Sequence, residues 1–400
     1  MIQFPAIVKN SFLQAVRQPV FGIIVIVTLG GLALAPSMTG WTLDDDNKML
    51  RDIGLSTLLM QGLFLACFAA SNVIDQEISD RTALTVVAKP VSREVFLLGK
   101  YFGILLALLA AHYLAGLAFF MAMRHGVLQT ASESSDITVL VFGPGVALIV
   151  AIIALARNYV REDRFLPAFI TMLIPAFTLS TVVLLFIDRD FSVRTYQVEQ
   201  PIDSIPDELD ISGDPFGGIV WFRPDQGNEF LHGHSGNLVR SGWKGPINDD
   251  DRQYLLDLVD RVEWRRTINF LVKESRNLQG WEVLRASLLI VPALVLISAI
   301  AVASSTRFGV FATFLLTLMV ICLGLASDQL IKPLAETGVG WASFAYRIIP
   351  NFQFFWMVDA LNEYRTIPMS YVLQTSAYGI IYGAAVLLLG MASFQTREVG

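Results

Sequence analysis

Uninterrupted apolar runs of about 20 residues recur along this 400-residue chain. They fall at about 20–37, 55–73, 96–123, 137–156, 166–187, 286–303, 308–327 and 371–393. Each is long enough to cross a hydrocarbon layer of about 30 Å at about 1.5 Å per residue. Backbone groups in such a layer must bond to one another within the segment, so runs of this kind are helices. Charged residues make up only 16% of the chain, against about 25% in soluble proteins. That deficit excludes an ordinary soluble enzyme and a disordered scaffold. The fold class expected is therefore an all-α polytopic membrane protein of about eight transmembrane helices.

Before the first run, residues 1–19 carry helical spacing of their own. Phe4, Ile7, Val8, Phe12, Ala15 and Val16 share a stripe, with Lys9, Asn10, Gln14 and Arg17 off it. Such a helix lies in the membrane interface rather than crossing it, and Pro19 ends it. The first run, at about 20–37, starts too late and follows a helical stretch of its own, so it does not read as a cleaved signal peptide. Orientation follows from lysine and arginine in the short loops. With the N-terminus inside, 11 basic residues face inward (Lys9, Arg17, Arg81, Lys89, Arg93, Lys100, Arg157, Arg161, Arg164, Arg307 and Arg397). Only 6 face outward (Lys48, Arg51, Arg124, Lys332, Arg347 and Arg365). An even span count then places both termini in the cytoplasm.

Residues 188–284 interrupt the apolar pattern and, in this topology, lie outside the membrane on the extracytoplasmic side. Strand-like runs at Ser192–Val198 and Gly218–Phe222 precede a helical stretch at Asp249–Val272, with Asn248 or an adjacent Asp as its cap. A small α+β extracytoplasmic domain is expected there. The transmembrane blocks are thus 20–187 and 285–400. Within the second, residues 328–370 are too long for a turn and hold the short aromatic runs Trp341–Tyr346 and Phe352–Met357, expected as re-entrant or interfacial helices.

Catalytic signatures are lacking. The sequence contains no HExxH, no GxSxG and no GxxxxGK[ST] phosphate loop; Gly99-Lys100 is followed by Tyr101 and opens a membrane run. Almost nothing ionisable lies in the runs, which argues against a proton- or ion-coupled carrier. His112 is the exception and reads as a polar packing residue rather than a relay. His232 and His234 are weak candidates for a metal, two imidazoles without a third ligand. Cys67 and Cys322 are expected as two buried thiols, and no cofactor is implied. The net charge of −6 gives no basic balance for nucleic acid.

The most informative stretch is residues 74–95, between the second and third runs. It reads as a short amphipathic helix over about 75–88, stopped before Pro90 and followed at once by the next span. Its pattern E-x-x-x-R-T … A-K-P-V-S-R-x-x-F-L-L-G-K-Y-x-G, from Glu77 to Gly103, resembles the coupling segment of type 2 (exporter) ABC transporter permeases. The likeness is to the multi-copper enzyme maturation permease-like branch. The start AIVKNSFLQAVRQPVF resembles that family's interfacial helix. Ala299–Gly324, with Ser304–Arg307 as a tight turn, resembles its central hairpin. The final span ending at Phe394–Glu398 resembles its C-terminus. The likeness covers residues 1–123 and 286–400. It implies a six-span core into which this chain inserts a hairpin (137–187) and the 188–284 segment.

The resemblance implies a multi-pass permease of a bacterial-type plasma membrane. It has no nucleotide site of its own and acts with a separate ABC ATP-binding subunit and a second permease chain. It places Glu77, Asp80, Arg81, Thr82, Leu84, Val87, Lys89, Pro90 and Arg93 at or beside the ATPase contact. No catalytic residue is assigned. The alternative readings are a non-transporting membrane assembly protein whose outer domain holds a partner, and a channel or secondary carrier.

Overall fold

A computed structural model of the chain describes residues 3–39, 46–79, 92–126, 135–187, 191–192, 208–210, 218–221, 238–241, 244–246, 264–362 and 367–395. Helix α1 (Gln3–Val16) ends in a turn at Arg17-Gln18, and Pro19 opens α2 (Pro19–Thr39). Proline is tolerated there because the first helical residues have no intrahelical partner for their N–H. There follow α3 (Asp46–Ser79), α4 (Arg93–His125), α5 (Ile137–Arg161, with one π-helical turn at Val141–Gly145 around Pro144) and α6 (Phe165–Phe186). After a stretch with short strands come α7 (Trp264–Ser305) and α8 (Val310–Leu325). Three short helices, α9 (Lys332–Glu336), α10 (Gly340–Ile348) and α11 (Val358–Asn362), lead to α12 (Met369–Gln395).

Seven of these helices are long and apolar enough to cross a membrane, and the chain has the character of a multi-pass helical membrane protein. They are α2, α3 (over Lys48–Val73), α4, α5, α6, α7 (over Glu282–Ser305) and α12. The span expected at 308–327 is different. α8 stops at Leu325, and the chain bends by 60° through the π-helical turn Ser327–Ile331 into α9. The total is eight only if this bent pair counts as one span. The bend has a packing cause. Gly324 leaves room for the Pro350 carbonyl and the Phe352 ring to press against the helix end, and Phe352 N donates to Gly324 O at 3.3 Å.

The centre of the bundle is α3, α4 and α7, where Leu58, Leu63, Leu108, Leu114, Leu294 and Ile297 are buried. Glycines bring these helices close. Gly54 of α3 lies under the Phe119 ring of α4, and Gly62 lies under Leu294 of α7. α12 packs along α7 through a stripe of Val372, Thr375, Gly379, Gly383, Leu387, Gly390 and Phe394. Its glycines face Pro292, Val295 and Ala303. Small residues at three- and four-residue spacing let backbones approach where no hydrophobic drive distinguishes protein from lipid tail. The α5–α6 hairpin joins α4 through Tyr113 Oη and Thr178 Oγ1, 3.1 Å apart, and α2 through Gly22 against Leu166.

Most of residues 188–284 lie outside the described residues, and those described give the α+β expectation little support. Strands occur at β1 (Glu208–Asp210), β2 (Gly218–Trp221), β3 (Leu238–Ser241) and β4 (Lys244–Pro246). They form two separate antiparallel pairs, β1 with β4 and β2 with β3. Such short isolated pairs do not make a sheet that can carry a core, so the described residues do not build the expected α+β domain. Of the helix expected over 249–272, residues 249–263 lie outside the described residues; from Trp264 it is helical and runs without a break into the span that begins at Glu282. The first expected strand, beyond Ser192, lies outside the described residues.

Candidate functional site

The motif-bearing segment sits between the ends of α3 and α4, and the structure ties those ends to both terminal helices. α3 does not stop where the apolar run stops. It continues as one helix from Asp46 to Ser79 and carries Glu77 in its last turn. The expected separate helix beginning at 75 is therefore, over 75–79, the extension of the span itself. Asp80, Arg81, Thr82, Leu84, Val87, Lys89 and Pro90 lie outside the described residues. On the far flank Ser92 caps α4: its Oγ accepts from Val95 N at 3.3 Å with extended backbone at the cap (φ −63°, ψ 146°). A serine oxygen there satisfies one of the orphan N–H groups of the first turn, and Glu94 complements the positive helix end.

Arg93 does not hang free beside this segment. Its Nη1 donates to Gln395 O at 3.0 Å, Gln395 Nε2 donates to Glu94 Oε1 at 2.8 Å, and Phe96 stacks on Phe394. A guanidinium at the last carbonyls of α12 is favoured by the helix dipole. The expected tight turn is present: Arg307 N and Phe308 N both donate to Ser304 O at 3.0 Å. Arg307 then reaches Ser393 through Nε to Oγ (2.8 Å) and Nη2 to O (2.5 Å). The starts of α4 and α8 and the end of α12 thus form one face.

α1 completes that face, packed on α4 rather than standing alone. A Cβ on Gly99 would meet Ile7 Cγ2 at 2.6 Å, and one on Gly103 would meet Val8 O at 2.7 Å. Lys100, buried beneath α1, donates to Gln14 Oε1 at 3.2 Å and lies 5.5 Å from the Phe96 ring centroid. Asn72 Nδ2 donates to Gln18 Oε1 at 3.4 Å, so the turn after α1 touches α3 as well. The amphipathic stripe seen in the sequence is thus the face that Ser11, Ala15 and Val16 bury against the bundle.

The opposite end is held by polar clamps that sequence reasoning missed. Arg124 pairs with Asp136 (Nε to Oδ2, 3.4 Å), donates to Thr138 Oγ1 (3.1 Å) and Ile187 O (2.7 Å), and bonds Leu184 O. This pins α4, α5 and α6 together. Glu282 accepts from Ile367 N at 2.6 Å and from Arg285 at 2.5 Å, joining the start of span α7 to that of α12. Asp328 accepts from Tyr346 Oη (2.8 Å) and Asn351 Nδ2 (2.9 Å), and Asn351 N donates to Tyr378 Oη (2.9 Å). The bond to Asp328 holds the Tyr346 phenol above its ordinary pKa, since ionising it would set two negative charges together. The sequence signal available was Asp136 just before Ile137-Thr138-Val139, an N-cap pattern in which Asp136 Oδ1 takes both the Thr138 and Val139 N–H.

Among the described residues no group of three or more His, Cys, Asp or Glu side chains is placed to hold a metal; His232 and His234 lie outside them. Cys67 is buried as expected, but Cys322 is exposed on α8, its apolar surroundings being those of a face turned away from the bundle. No family model matches the chain, and no curated protein or solved structure matches it.

Proposed function

We propose that this chain is the membrane-spanning permease subunit of an ATP-driven ABC export system. A separate ATP-binding subunit docks on the Glu77–Arg93 segment, and a second permease chain completes the path. In this reading both termini and that segment face the cytoplasm of a bacterial-type cell, and residues 188–284 lie outside. The observation that carries it is the Glu77–Gly103 pattern together with its mechanical setting. The two helices flanking the pattern, α3 and α4, are also the centre of the bundle.

A push on this segment has no flexible joint to absorb it on the α3 side, because the span and Glu77 share one helix. α3 bears on α7 at Gly62–Leu294, α4 bears on α7 through Tyr101 Oη to Val295 O (3.1 Å), and α7 bears on α12 through the glycine stripe. Close-packed helices respond to such a displacement by rigid-body shifts rather than continuous deformation. The chain supplies the lever and the partner supplies nucleotide energy.

The test is the double variant Glu77→Ala, Arg81→Ala in the full chain, purified by affinity tag from its native membranes. Alanine keeps helix propensity at both positions. The expected result is normal insertion with co-purifying ATPase activity reduced by about tenfold or more, equivalent to about 1.4 kcal/mol of lost association. Unchanged ATPase activity in the purified material overturns the docking reading.

A further inference from the structure

We infer that Gln61, His112 and Ser287 enclose bound water where α3, α4 and α7 meet. Gln61 is 3% exposed and His112 8% exposed. Among the described residues neither amide atom of Gln61 has a hydrogen-bond partner, and His112 Nδ1 has none. The ring also reaches Ser287 on α7, with Nε2 at a long 3.5 Å from its Oγ. α3 and α4 run antiparallel, with Gly54 against Phe119. Seven residues further along α3 and seven back along α4 is two turns in each helix, which returns to the same face. Those positions are Gln61 and His112, which helical periodicity therefore sets on the facing sides of α3 and α4. Gln61 is also midway along the Lys48–Val73 span.

No described residue repairs this site. Turning the Gln61 amide over changes nothing, because both its atoms lack partners. The helix backbones spend their N–H and C=O groups in their own ladders. The residues one turn away, Leu58 and Leu65 on α3 and Leu108 on α4, are buried and apolar. Unsatisfied amide and imidazole groups in such surroundings are among the costlier defects a fold can contain. The groups present are one amide donor, one amide acceptor, one ring nitrogen and one hydroxyl. That is the set of two to four polar partners a buried water requires. Gln61 and His112 are buried and Ser287 is partly buried, and the three carry no acid–base pair to balance a charged ligand. The inference does not depend on the ATP-driven reading.

The experiment is water-edited solid-state NMR on the full chain in lipid bilayers, with 15N-labelled glutamine and histidine. The chain has only 4 histidines, which makes the His112 ring assignable. His112→Phe and Gln61→Met confirm the assignments. The expected result is transfer from water to the Gln61 Nε2 and His112 ring signals within a few milliseconds, as at the protein surface. Transfer as slow as that to Leu58 or Leu108 overturns the proposal. Thermal unfolding gives an independent reading: if water satisfies the groups, Gln61→Met melts no higher than the parent. A higher melting temperature means a dry, unsatisfied amide has been removed and overturns the proposal as well.

Discussion

Arg124 and Arg157 are the same side chain paired with the same kind of carboxylate, yet their surroundings differ. The Arg124–Asp136 side chains are 3% and 0% exposed; those of Arg157 and Asp163 are 42% and 38% exposed. Removing one partner of a buried pair leaves a charge in a low-dielectric site and costs about 3–5 kcal/mol. An exposed pair, screened and entropically mobile, contributes about 0–1 kcal/mol. Asp136→Ala is therefore expected to lower the thermal or denaturant stability of the purified protein sharply, also removing the α5 cap. Arg157→Ala should leave it nearly unchanged. Equal effects would show that the clamp at α4, α5 and α6 is not what holds that end. The sequence counted Arg124 only as a loop charge; its partner is a local cap, but its carbonyl acceptors at Leu184 and Ile187 lie about 60 residues away, and no local pattern encodes that pairing.

Among the elements, the apolar runs located the spans well and their ends poorly, for a physical reason. Hydropathy measures the length of chain matched to lipid, whereas a helix ends where a cap or breaker ends it. α3 passes Val73 through Ile74-Asp75-Gln76-Glu77-Ile78-Ser79 because that stretch has neither proline nor glycine. α8 stops early because Gly324 admits Phe352 from a distant loop, a contact no run of letters announces. The α1–α4 contact was half legible: the stripe on α1 was visible, its glycine seat on α4 was not. Gly103→Leu tests that seat. Its Cβ would overlap Ser11 and the Val8 carbonyl, so overpacking by about 1–3 kcal/mol is expected as a lower melting temperature. Gly116→Leu on the same helix meets no atom within 4 Å and should melt no lower, helped by leucine's better helix propensity.

For the molecule as a whole, the face that joins α1, the starts of α4 and α8 and the end of α12 makes orientation a single question. Arg93 bonds Gln395, Arg307 bonds Ser393 and Lys100 bonds Gln14, so these segments must lie on the same side of any membrane. In the proposed topology that side faces inward, a reading supported by the charge count of 11 against 6. In a background with Cys67→Ala and Cys322→Ala, Ser92→Cys is expected to react with a membrane-impermeant maleimide only after the cells are opened. Ser235→Cys should react in intact cells. Ser92 lies one residue from a side chain bonded to the C-terminal helix, so its accessibility reports both ends of the chain at once. Labelling of Ser92→Cys in intact cells would place the Glu77–Arg93 segment outside, away from any source of ATP, and the ATP-driven reading would fall with the topology.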